Sequence, residues 1–157
     1  MAFSNPKVYL EKLARPLLER FEKEPNSYEL AVSCSIILYH YCDVVAYVRN
    51  IKPYVAAKQL TDKVSNFEII RALANAGKHV ELTHHPNKNL LGLKAQDLQI
   101  GKGAAFSDGT FFSDGTSFDD SPDTVMVTTP DGETYDVLLI CNNVLENLEK
   151  EVEFYEV

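Results

Sequence analysis

The residues that could do chemistry gather in Arg71-Ala-Leu-Ala-Asn-Ala-Gly-Lys-His79, at the end of an apolar-periodic segment. Side chains four apart stack on one helix face, so Arg71, Asn75 and His79 form a polar stripe with Lys78 beside it. Arg71 and Lys78 could hold phosphate charge, and the His79 imidazole could move a proton. The same stripe could equally be a hydrogen-bonded seam between packed helices. Gly77 costs a helix up to about 1 kcal/mol relative to alanine, which points to close approach of another helix or a ligand.

A second pair, His40 and Asp43, lies three residues apart in the most apolar stretch of the chain. A carboxylate beside an imidazole orients the ring, as in many catalytic and metal sites, and it also satisfies a buried histidine. Lysine is seldom buried without a partner, so Asp43 is expected within hydrogen-bond reach of Lys78 or His79. The expected seam sets His40 and Asp43 against Asn75, Lys78 and His79. Were it fully buried, removing Asp43 would cost roughly 3 kcal/mol. A zinc site would draw on His40, His79 and His84 or His85, with Asp43. That spacing matches no established zinc pattern, and no cofactor or metal is expected. The Asp108-Gly109 and Asp114-Gly115 pairs lack the ligand run of a calcium loop and read as turns. The sequence contains no Walker A motif, no G-x-S-x-G and no evident basic-aromatic platform for bases.

These groups need elements to position them. Asn5 as N-cap and Pro6 at the first helical position open a helix to about Lys23, with Pro16 expected to kink it. Asn26 and Glu29 suggest a capping box for a second helix, apolar nearly all round and therefore central. It should turn Leu30, Cys34, Ile37, Tyr41, Val44 and Val48 to one side, and Ile36, His40, Asp43 and Tyr47 to another. A short helix over Tyr54 to Lys63 follows. Ser65 and Glu68 then cap the helix that carries Arg71 to His79. From Lys94 the composition changes: Phe106-Ser-Asp-Gly-Thr110 recurs as Phe112-Ser-Asp-Gly-Thr116, an irregular ribbon with aromatic anchors. Pro130-Asp131-Gly132 between Thr124–Thr129 and Glu133–Val137 predicts a β-hairpin. A last helix spans about Asp136 to Phe154, with Leu139, Val144, Leu148 and Val152 inward.

The fold expected is mainly α: a bundle of four to five helices with a β-hairpin inserted before the last helix. It is a single domain over 1–157, with a helical body at 1–93 and 136–157 and a ribbon plus hairpin at 94–135. The net charge of −8 argues against a broad footprint for nucleic acid or anionic membrane and leaves room for a small local basic site. Cys34, Cys42 and Cys141 are widely spaced and read as buried reduced thiols. Without a basic stretch followed by an apolar run at the N-terminus, and with His40 and Asp43 inside the Ala31–Val48 window, a cytoplasmic protein without a membrane span is expected.

The Ala74-Asn75-Ala-Gly-Lys-His79 segment, His40-x-x-Asp43 and the Phe-rich repeat resemble a group of uncharacterised bacterial and phage proteins. Such proteins carry a D-I-A-N-x-x-K-H type segment before repeated small-residue and Phe units. The likeness covers roughly Ile36 to the C-terminus and implies a compact, mainly helical domain. More distantly, the chain is similar to the HEPN superfamily of helical bundles, which includes RNase toxins and nucleotide-binding modules. Asn75 and His79 match the Asn and His of the HEPN motif, whereas Ala74 stands where its Arg should be and Arg71 lies one turn earlier. This resemblance implies a homodimer, and RNA or nucleotide at a local site. Metal-independent RNA cleavage would use His79 as general acid/base, Lys78 or Arg71 against phosphate, and His40 and Asp43 in support. Two other classes stay open: a non-catalytic interaction protein in which these residues are a structural seam, and a metal-dependent bundle enzyme.

Overall fold

The computed structural model describes residues 4–78, 87–102 and 123–152. The Phe-rich repeats, His79, His84 and His85 lie outside the described residues.

Asn5 caps the first helix as its side chain accepts from the Val8 N–H at 3.1 Å, with Pro6 in the first turn. α1 (Pro6–Tyr9) passes through a π segment, Leu10–Ala14, into α2 (Arg15–Lys23). Pro16 is the cause: it lacks an N–H and its ring crowds the carbonyl four residues back, so the chain takes in an extra residue before it. The expected proline kink is therefore a π bulge within one continuous helix.

α3 (Tyr28–Arg49) is capped by Ser27, whose Oγ accepts from the Leu30 N–H at 3.2 Å. The cap thus falls one residue after Asn26, correcting the expected box. At its other end Asn50 turns left-handed (φ 52°), and the Ile51 N–H returns to the Ala46 carbonyl at 3.0 Å. α3 packs against α2, α4 (Pro53–Lys63), α5 (Phe67–Lys78) and α6 (Val137–Val152), the central position its composition predicts. By length and composition alone it could cross a membrane, but half of that apolar window is buried inside this fold. Its buried set is Leu30, Cys34, Leu38, Tyr41, Val44 and Val45, with small residues between them, whereas Val48 is exposed.

α5 opens after Asn66, which is left-handed (φ 65°). Glu68 has no hydrogen bond to Ser65; it accepts instead from Asn87 Nδ2 at 3.1 Å, which ties Asn87 to α5.

The hairpin forms as predicted. β2 (Asp123–Thr128) pairs antiparallel with β3 (Thr134–Asp136) in the register Met126↔Asp136, Val127↔Tyr135, Thr128↔Thr134, and Gly132 takes φ 90° in the turn. Val125 and Val127 point into the core while Met126 faces the other way. A third strand, β1 (Leu98–Lys102), pairs with the free edge of β2, so the insertion is a three-stranded sheet rather than a hairpin alone. β3 is short, and where it ends the Val125 N–H donates to the Pro25 carbonyl at 2.9 Å, which fastens the sheet to the α2–α3 turn. Asp136 closes β3 and caps α6, accepting from the Leu139 N–H at 3.2 Å. α6 buries Ile140, Cys141, Val144, Leu145, Leu148 and Val152, with Leu139 only half-buried.

Candidate functional site

α3 and α5 carry the polar residues singled out above, and the packing between them explains Gly77. A Cβ on Gly77 would lie 2.7 Å from Val32 Cγ1 of α3, closer than carbon atoms tolerate. The glycine therefore lets the two helices approach beside Lys78, the last described residue of α5.

Near this crossing three side chains join in sequence. His40 Nδ1 lies 2.6 Å from Asp43 Oδ2, and Lys78 Nζ lies 3.0 Å from His40 Nε2. A carboxylate on one ring nitrogen and an ammonium on the other fit one assignment: Nδ1–H donates to Asp43, and Nε2 accepts from Lys78. The i,i+3 spacing sets the carboxylate beside the ring. Asp43 reaches Lys78 through the His40 ring rather than directly, and the alternative contact with His79 lies outside the described residues.

The site is also more open than a buried seam. The His40 and Asp43 side chains are 40% and 49% exposed. Partners this wet contribute about 0–1 kcal/mol, too little to hold two helices together, so the 3 kcal/mol cost that burial would imply does not apply. What holds α3 to α5 is apolar: Leu38, Tyr41, Cys42, Ile70, Leu73 and Ala74 are each 5% exposed or less. The relay is thus a polar feature on the surface of an apolar joint.

Arg71 does not join it. Its guanidinium carbon sits 6.0 Å from the centre of the Tyr39 ring, and its Nε is buried with no hydrogen-bond partner among the described residues. Burial raises the Tyr39 phenol above its ordinary range, and the Arg71 charge partly offsets that. Cys42, beside them, is pushed up to about 12 by burial and by the Asp43 carboxylate, so it stays a thiol. Asn75 is half-buried between Arg71 and Lys78 along α5 and makes no side-chain hydrogen bond to the relay. The stripe read from sequence is therefore split between an Arg71–Tyr39 contact and a Lys78–His40–Asp43 relay. His79, the remaining stripe residue, lies outside the described residues.

Two roles were not legible beforehand. His40 lies between Asp43 and Lys78 and joins them, and Tyr39 is the face on which Arg71 rests, its ring 5.7 Å from that of His40. Adjacent aromatic and imidazole side chains on the central helix were the available signal. Among the described residues no three His, Cys, Asp or Glu side chains converge as a metal site would require. Comparison with protein-family models, with curated proteins and with solved structures gives no match.

Proposed function

We propose that this protein acts on a phosphate-bearing ligand, of RNA or nucleotide type, at the α3–α5 relay. The observation that carries the reading is the solvent-open contact of Lys78 Nζ with His40 Nε2, with Asp43 fixing the other ring nitrogen. An ammonium at the surface is the natural partner of a phosphate oxygen. As Lys78 turns to that oxygen it leaves Nε2, which becomes a free base oriented by Asp43. On RNA this base would take the proton of a 2′-hydroxyl. The 2′-oxygen would bond to phosphorus and the 5′-oxygen would leave with a proton from water. The resemblance of Asn75 and His79 to the HEPN motif favours the same substrate class, and it would bring His79 in as a second proton-transfer group.

Labelled RNA incubated with EDTA tests this. The wild-type protein should cleave it, His40→Ala should not, and Lys78→Ala should be slowed by at least about tenfold through loss of phosphate stabilisation. Equal activity in the wild type and His40→Ala would overturn the assignment of the base. A second reading is favoured by one feature, the occupation of Nε2 by Lys78 at rest: the site then binds without turnover, as an interaction protein. Ligand binding that weakens in Lys78→Ala, with no cleavage by any form, would select it.

A further inference from the structure

The relay does not account for the corner where α3 passes into α4. Among the described residues five large hydrophobic side chains are exposed, and three of them, Tyr47 (63%), Val48 (43%) and Tyr54 (65%), lie within this turn. Between Val44 and Thr61 the chain has three cations, Arg49, Lys52 and Lys58, and no acidic residue, in a protein of net charge −8. Burying two tyrosine rings would stabilise the fold, so their exposure suggests another use.

The corner is held in shape. Arg49 Nη1 donates to Gln59 Oε1 at 2.6 Å, joining the end of α3 to the second turn of α4. Lys52 Nζ lies 6.0 Å from the centre of the Tyr54 ring. Tyr54 and Lys58 are four apart on the exposed face of α4. Tyr47 follows Asp43 by four residues and His40 by seven, so it stands on the relay's own face of α3, about 10 Å along the axis from His40. Rings that can stack on bases, alternating with cations that can meet phosphates, form the surface a single strand requires. Every base has a π face, and such stacking is worth about 1–3 kcal/mol per base. The sequence alone showed no such platform because its members come from two helices and the turn between them.

We infer that the α3–α4 corner binds single-stranded RNA, with Tyr47 and Tyr54 stacking on bases and Lys52 and Lys58 meeting phosphates, and that Tyr47 leads the strand toward the relay. The inference rests on the RNA reading of the relay for that direction alone; binding at the corner stands or falls by itself.

The test is fluorescence anisotropy of a labelled oligouridine with the full chain. Tyr47→Ala/Tyr54→Ala should weaken binding at least about thirtyfold, from two stacked bases lost. Tyr47→Phe/Tyr54→Phe should keep wild-type affinity. Lys52→Gln/Lys58→Gln should lower the slope of log K against log salt by about 1.4, two phosphate contacts. Cleavage is read separately: binding that needs the two tyrosines stands even where no form of the protein cleaves, which separates failure of the relay reading from failure of this one. No binding, or binding indifferent to the two tyrosines, would overturn the proposal. So would tyrosine-dependent binding to phosphatidylserine vesicles without binding to the oligonucleotide.

Discussion

At the scale of single residues, exposure decides what the polar groups are worth. Asp43 holds one nitrogen of His40 but is half in water, so Asp43→Ala should lower stability by less than about 1 kcal/mol in urea unfolding. A loss near 3 kcal/mol would mean the relay is a buried structural pair after all. Gly77 runs the other way. Alanine there gains up to about 1 kcal/mol of helix propensity, yet its Cβ meets the stiff, branched Val32 side chain. Overpacking of this kind typically costs about 1–3 kcal/mol, so Gly77→Ala should destabilise on balance. Adding Val32→Ala should remove the clash, and the pair of changes should then cost less than the sum of the two alone. Strict additivity would show that α3 and α5 do not touch at this point.

At the scale of elements, Asp136 does most with one side chain. It ends β3, accepts from the Leu139 N–H, and sits 3.4 Å from Thr124 Oγ1 on the neighbouring strand. Asp136→Ala should cost about 1–2 kcal/mol of stability, whereas Asp136→Asn, which keeps the acceptor, should lose much less. The helices and the hairpin turn were legible in sequence because their signals are local: apolar period, Asn5-Pro6, Pro130-Asp-Gly132. What was missed depends on distant partners. β1 has no turn signal linking it to β2, and its pairing is fixed only when the sheet docks on the body. Glu68 looked like a capping residue until Asn87, far along the chain, competed for it. Ser27 displaced Asn26 as cap because neighbouring residues that both favour caps are not ranked by sequence. At the site, the residue types were legible and their pairing was not: spacing set Asp43 beside His40, while the place of Lys78 depended on how closely Gly77 lets α5 approach α3.

At the scale of the whole molecule, one core clamps α3 among four other helices and keeps all three thiols inside. Burial raises Cys34 and Cys42 from an ordinary value near 9 to about 12, and it raises Cys141 well above 9, with Cys34 adding to the effect. An unfolded chain gives up these protons first, so it binds fewer of them than the folded chain above about pH 9. Stability should therefore fall as pH rises from about 9 toward 12, and melting followed across that range checks it. A stability unchanged over that window would mean that the thiols are not enclosed. The joint between α3 and α5 does not need the relay, and on the proposed reading Lys78 exchanges His40 for a ligand. The most direct measurement is the nitrogen-15 spectrum of the His40 ring during titration with a dinucleotide. At rest the proton should reside on Nδ1 and Nε2 should carry none. On saturation the Nε2 resonance should move as Lys78 departs, and in Lys78→Ala it should start displaced. A resting ring protonated on Nε2, or an Nε2 signal unmoved at saturating dinucleotide, would contradict the relay as the working site.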